Sequence, residues 1–330
     1  MLNYNPAFDG IRAFSVLGVM LFHSRVEAVS GGFLGVDIFF VISGFLITGV
    51  VVDKVMAGRF SYLSFYTNRA LRLLPPLFFV SIAVVGMCLF LGIKVEDSRV
   101  IPAVFLYSNI DAVVDPGGAI FNHAWSLSFE EQFYIFWPLL LVIGLRGVKS
   151  PALFLVVFYI ISTLWRCFVL FDGGGWNEVY LRPDTRISGF ILGALLSCLK
   201  GRVVIPELAA WLAFLLLGVA LGVAGWGQDW VLYWGISAVE LLAAIVILSA
   251  ANRASAFYRF LSFGLFRRVG IISYSLYLVH YPFAWVIRND VSPMLTFFLV
   301  FFISYVLSEF IRFFIEMPMR RFRLEDVKAV

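Results

Sequence analysis

Apolar runs about as long as a bilayer is thick recur along the whole chain. Residues 13–29, 33–53, 74–93, 125–145, 151–171, 185–200, 208–226, 231–250, 269–288 and 293–316 are each dominated by apolar side chains, and a helix of about 20 residues crosses the roughly 30 Å hydrocarbon core. In lipid, every backbone N–H and C=O must find its partner inside the protein, which a helix achieves within one segment. The expected class is therefore all-α: a polytopic membrane protein of about ten transmembrane helices. Composition agrees, with 62% hydrophobic and 14% charged residues against about 45–50% and about 25% for soluble domains. No polar stretch between the runs is long enough to build a separate soluble core, so residues 1–330 are expected to form a single transmembrane domain.

The formal net charge of +4 would point to nucleic acid in a soluble protein. Here the basic residues gather in short connections, where they set topology, and no nucleic-acid partner is expected. With the N-terminus in the cytoplasm, the inner side collects Arg12; Lys54, Arg59, Arg69 and Arg72; Arg146 and Lys149; Lys200 and Arg202; Arg253, Arg259, Arg267 and Arg268; and Arg312, Arg320, Arg321, Arg323 and Lys328. That places both termini in the cytoplasm. Cys88, Cys167 and Cys198 show no CxxC or Cys/His spacing, so neither a disulfide framework nor a metal site is expected. The first apolar segment lacks a small-residue cleavage pattern and is expected to insert as a helix.

Ionisable groups within spans are costly, about 2.5–3.5 kcal/mol each on insertion scales, and each is a functional candidate by default. Arg12 and His23 are eleven residues apart, about three helical turns and roughly 16 Å, so they share a helix face. A long ligand with an anionic head fits that face, its far end beside an imidazole placed past mid-depth. The plain alternative is a snorkelling Arg and a packed His. In "SFYTNRALRLLPP", Arg69 and Arg72 are neighbours on one helical turn before Pro75 and Pro76 open the third span. Their planar forks suit phosphate, although contact with lipid phosphates would explain them equally. In "HAWSLSFEEQFYIFWPLLL", Ser128 and Glu131 have capping-box spacing, which leaves Glu130 unexplained. His280 lies mid-span beside Pro282, as a site residue or a packing His, and Glu316 is placed to pair with Arg320.

These residues together carry a resemblance. "FDGIRAFSVLGVMLFH", "GFLGVDIFFVISGFLIT", "NRALRLLPP", "HAWSLSFEEQFYIFWPLLL", "SYSLYLVHYP" and "IEMPMRR" resemble, in order, the motifs of the acyltransferase-3 family of bacterial membrane O-acyltransferases. The resemblance implies transfer of an acyl group, by family habit acetyl, from cytoplasmic acyl-CoA to a hydroxyl of a carbohydrate or glycolipid acceptor, in the bacterial inner membrane and without a metal. It implies that His23 is catalytic and that Arg12, Arg69 and Arg72 hold the CoA phosphates. Asp9, Asp37, Ser43 and Gly44 match the first two motifs; Trp125, Ser126, Glu130 and Tyr134 match the fourth; His280 and Glu316 match the last two. These are treated as lining the site, with Glu130 expected to assist His23 by orienting it or the acceptor. The family's fused extracytoplasmic SGNH hydrolase-like domain is not expected in this chain.

Donor and acceptor would then reach His23 from opposite sides of the membrane. As general base His23 would take the hydroxyl proton during attack on the thioester, with an acyl-imidazole as the variant. The connections 94–124 and 172–184 are the expected recognition surfaces, with Trp176 and Tyr180 suited to stack on a sugar or to anchor at the interface. A secondary transporter or flippase is the competing class, since many helices with buried charges also describe one. A non-catalytic scaffold fits the short loops poorly. The acceptor's identity and the oligomeric state are not encoded in any motif.

Overall fold

The computed structural model describes residues 4–115, 117–147 and 150–324; Lys149 and Lys328, read above as topological signals, lie outside them. The helices are α1 (Pro6–His23), α2 (Gly35–Met56), α3 (Tyr62–Leu91), α4 (Val100–Val104), α5 (Ser108–Val114), α6 (Trp125–Gly147), α7 (Pro151–Phe171), α8 (Trp176–Leu181), α9 (Pro183–Arg186), α10 (Ser188–Leu199), α11 (Glu207–Val223), α12 (Ile236–Ser249), α13 (Ala256–Leu261), α14 (Gly264–Ile271), α15 (Ser273–Ile287), α16 (Pro293–Ile311) and α17 (Met317–Met319). No strand occurs among the described residues. The protein is an all-α membrane protein.

Every expected span is helical at its core. Among the described residues, five segments are helices long and apolar enough to cross a membrane: Glu27–Met56, Tyr62–Leu91, Pro151–Phe171, Val231–Ser249 and Pro293–Phe322. The number is six if α14 and α15 count as one. Helix α10 has only 12 residues and α11 only 17, while α1 carries Asp9 and Arg12 within its 18.

Helix ends follow capping chemistry rather than hydropathy. Asn5 caps α1 by accepting from Ala7 N at 3.0 Å, with Pro6 at the first helical position. The helix therefore starts several residues before the apolar run and ends at His23. The third helix is likewise not opened by Pro75 and Pro76: Ser61 caps it, and it runs unbroken through both prolines to Gly92, whose φ of +70 supplies a left-handed stop. Arg69 and Arg72 are thus interior residues of a 30-residue helix.

The chain divides into two compact units, one of residues 2–50 and 139–271 and the other mainly of 51–138 and 272–330. In the first, the α1 unit, α1 packs on α13 and α14, α10 on α7 and α12, and α11 on α12. Helices α2 and α10 cross with their backbones almost touching. A Cβ on Gly44 would lie 2.1 Å from Phe190 O, and one on Gly193 would lie 2.1 Å from Val41 O. Small residues of this kind permit close helix approach where lipid offers no hydrophobic driving force.

Within the same unit, Arg166 and Arg186 are among the largest fully buried side chains. Arg186 pairs with Asp37 at 2.8 Å and lies 4.2 Å over the Tyr180 ring. Arg166 donates to Leu232 O at 2.8 Å, Ser188 Oγ at 3.1 Å and Ser237 Oγ at 2.6 Å. Ser188 and Tyr159 in turn donate to Glu240 at 2.6 and 3.1 Å. Buried charges persist only when paired and hydrogen-bonded, so this network ties α2, α7, α9, α10 and α12 together.

In the second, the α3 unit, Leu77, Val80 and Val84 of α3 pack with Val100 and Phe121 and with Leu278 of α15. The segment between α3 and α6 is ordered by Arg99, which is 6% exposed with a left-handed φ of +61. It meets Asp111 at 3.3 Å, Asp115 at 3.1 Å and Asn122 Oδ1 at 2.7 Å. The Gly117 N–H, and then the Arg99 guanidinium, hold the Asp115 carboxyl below its ordinary range.

Two stability outcomes follow from the α1 unit. Gly193→Val forces a side chain into the α2 backbone and should abolish monodisperse protein on size-exclusion chromatography in detergent, whereas Gly218→Val, a position with open space around it, should leave it intact. Asp37→Ala strands a buried guanidinium and should cost about 3–5 kcal/mol, read as a lowered unfolding midpoint; the double variant Asp37→Leu/Arg186→Met should recover most of that loss.

Candidate active site

In the α1 unit, Arg12 and His23 lie on one uninterrupted helix, so the eleven-residue spacing does put them on a common face. Arg12 meets Asp9 at 3.4 Å. Tyr4 donates to the other Asp9 oxygen at 2.5 Å, and Arg267 of α14 donates to Tyr4 Oη at 3.1 Å. Asp9 and Arg12 are therefore brought together in one polar cluster towards the N-terminal end of α1. His23 was expected at depth within a span; it is instead the last residue of α1 and half-buried, because Ser24 takes the C-cap and the chain turns there.

Beside His23, Phe22 joins a cluster of aromatic rings. Phe22 lies 5.2 Å from Phe33 and 5.9 Å from Trp226; Trp176 stacks on Tyr180 at 5.0 Å and meets Trp226 at 4.5 Å. Tyr180 is 1% exposed and packs within the cluster, while Trp226, at 44%, presents an open ring. Asp37 is engaged in the ion pair with Arg186, and Ser43 is buried next to the Gly44 crossing.

In the α3 unit, the first turns of α6 face residues of α3 and α15. Trp125, Ser126 and Tyr134 are buried. Ser126 Oγ and the Tyr277 hydroxyl share a 2.7 Å bond. Tyr134 donates to the Glu130 carboxylate, and the Arg69 guanidinium lies 3.1 Å over the Tyr134 ring. The capping-box reading of Glu131 fails because α6 begins at Trp125, which places Ser128 inside the helix. Ser128 Oγ accepts from Ser108 N at 3.2 Å, and Glu131 pairs with Arg69 at 3.5 Å. Arg69 is therefore shared between a carboxylate and an aromatic ring, while Arg72, one turn on, is exposed. Glu316, expected to pair with Arg320, accepts from Ser275 Oγ of α15 at 2.6 Å.

His280 is fully buried, with Nδ1 bonded to Tyr277 O at 2.7 Å. Its ring lies 5.4 Å from that of His123, a residue passed over in the sequence because it sits in a connection rather than a span. The clue available was its place two residues before Trp125 and Ser126. The α3 unit thus gathers Trp125, Ser126, Glu130, Tyr134, His280, Glu316 and Arg69 about α6 and α15. A cavity of about 220 Å³ in the same unit is lined by Glu96, Asp97, Arg99, Asp111 and Asp115. Among the described residues, no group of His, Cys, Asp and Glu is arranged to hold a metal ion.

Carboxylates, a tyrosine hydroxyl and buried imidazoles can between them orient a hydroxyl and move its proton. Comparison with known proteins gives the chain's family. The chain is 30% identical to the O-acetyltransferase OatA of Staphylococcus aureus strain NCTC 8325 / PS 47 over 96% of its own length. The same figures hold for OatA of strain COL. The match takes in 57% of each relative, so the chain spans under three fifths of their length. No solved structure matches. The family model for the acyltransferase domain matches residues 5–314, nearly the whole chain and both compact units, and the protein belongs to the acyltransferase-3 family.

Proposed function

We propose that this chain is a membrane O-acyltransferase that moves an acyl group, acetyl in the first instance, from cytoplasmic acyl-CoA to a hydroxyl of a sugar or glycan. The observation that carries this reading is the course of the family match, which takes in every candidate side chain except Glu316. The relatives' name, O-acetyltransferase, favours group transfer over transport. A ten-span topology in the bacterial inner membrane, with both termini in the cytoplasm, belongs to the same proposal.

His23 acts as the general base. It takes the acceptor hydroxyl's proton as the oxygen attacks the thioester carbonyl; the C–S bond breaks, and the imidazolium returns the proton to the departing CoA sulfur. Its half-buried position at the end of α1 supports this role, since the imidazole must be reached by both substrates. Arg12 and Arg72 hold CoA phosphates through bidentate hydrogen bonds. Arg69, which contacts Glu131 and Tyr134, contributes its charge to the same task while it orders the start of α6. Glu130, which accepts from Tyr134, orients the acceptor hydroxyl.

Purified protein mixed with radiolabelled acetyl-CoA and de-O-acetylated envelope glycan should release CoA only when the glycan is present. His23→Ala should lower that rate about 10²–10⁴-fold at equal protein abundance; an unchanged rate would remove His23 from the chemistry. Arg72→Ala should raise KM for acetyl-CoA with little effect on KM for the glycan. Equal loss of both would assign the residue to topology or folding instead.

A further inference from the structure

His123 is 3% exposed and sits in the short turn Asn122–Ala124 that leads into α6. Its Nε2 lies 3.2 Å from the Leu278 carbonyl. A carbonyl only accepts, so in the neutral ring Nε2 carries the proton and Nδ1 presents a lone pair. That Nδ1 is buried with no hydrogen-bond partner among the described residues.

Nearby donors are already committed. Ser126 Oγ and Tyr277 Oη share one proton between them, and the other goes to the His123 carbonyl, from Tyr277 at 3.2 Å or from Ser126 at 3.4 Å. The His280 Nδ1 proton points to the carbonyls of Tyr277 and Leu276, at 2.7 and 3.2 Å. The His123 ring is wedged among Phe121, Tyr277, His280 and Tyr281, with centroid separations of 5.0 to 5.4 Å. Its neighbour Asn122 is gripped by Arg99. The imidazole is thus fixed in both place and tautomer, with one unmet acceptor. Buried polar groups are met in the great majority of cases, so the partner of this nitrogen is expected to come from outside the chain.

We propose that His123 Nδ1 is a hydroxyl-binding point for the acyl acceptor: it receives a hydrogen bond from a hydroxyl of a polyol substrate and thereby selects which hydroxyl is presented for acylation. This rests on the acyltransferase reading. A covalent role is disfavoured by the same geometry. Acylation at Nδ1 would give an imidazolium whose Nε2 proton faces the Leu278 carbonyl, which cannot take it.

The test is a pair of variants assayed with acetyl-CoA and de-O-acetylated envelope glycan. His123→Gln keeps an N–H donor for the Leu278 carbonyl and removes the Nδ1 lone pair. His123→Asn restores an acceptor oxygen near the Nδ1 position. His123→Gln should raise KM for the glycan about tenfold or more, with KM for acetyl-CoA within about twofold of wild type, and His123→Asn should recover part of the loss. Wild-type glycan KM in both variants would mean that a buried water alone meets the nitrogen and would overturn the proposal. A parallel rise in both KM values would overturn it in favour of a packing role. Wild-type protein that releases no CoA on addition of glycan would instead overturn the acyltransferase reading, and this proposal with it.

Discussion

A guanidinium in hydrocarbon has to be paired, and the α1 unit is organised around two that are. Arg186 is bound to Asp37 and covered by Tyr180, while Arg166 reaches a backbone carbonyl and two serines, one of which continues to Glu240. Because removing one partner leaves a naked charge, these contacts specify which helices are neighbours as well as holding them together. The glycine crossing of α2 and α10 serves the same end by a different route: Gly189, four residues before Gly193, would place a Cβ 3.2 Å from Glu240 Oε1. Close backbone approach and short polar side chains are what let the network close.

The α3 unit uses polar groups differently. Here polar groups are shared among several partners: Arg69 serves a carboxylate and a ring, Glu130 takes a tyrosine hydroxyl, and Ser126, Tyr277 and the His123 carbonyl form a small chain of hydroxyl bonds. Two imidazoles lie at its centre. Such an arrangement offers hydrogen-bond capacity to a bound molecule, whereas the α1 unit's network is closed by the Asp37–Arg186 ion pair and by the three hydrogen bonds of Arg166.

Much of this was legible in the sequence, and the gaps have physical causes. Long apolar runs announced the helices because lipid leaves the backbone no alternative. The Arg12–His23 spacing was readable because 3.6 residues per turn is a fixed geometry. Helix starts differ from the apolar runs where capping side chains outvote hydropathy, at Asn5 and Ser61, and the Ser24 C-cap puts His23, expected past mid-depth, at a helix end. Glu131 was taken for a cap because Ser128 has the right spacing, yet the helix starts three residues earlier and the carboxylate belongs to Arg69. Partners distant in sequence, such as Ser275 for Glu316 or Arg186 for Asp37, leave no local signature. His123 was missed for a related reason: intramembrane charge is a conspicuous signal, and a histidine in a connecting turn is not.

Where Gly44 meets the carbonyl of Phe190 and Gly193 that of Val41, two helices share what amounts to a single rigid strut. Helix α2 cannot slip by a turn, since Phe40 or Thr48 would take the place of Gly44 and bring a side chain into the gap. A substitution that thickens one helix must therefore be answered by room made in the other, and the pair behaves as one mechanical part.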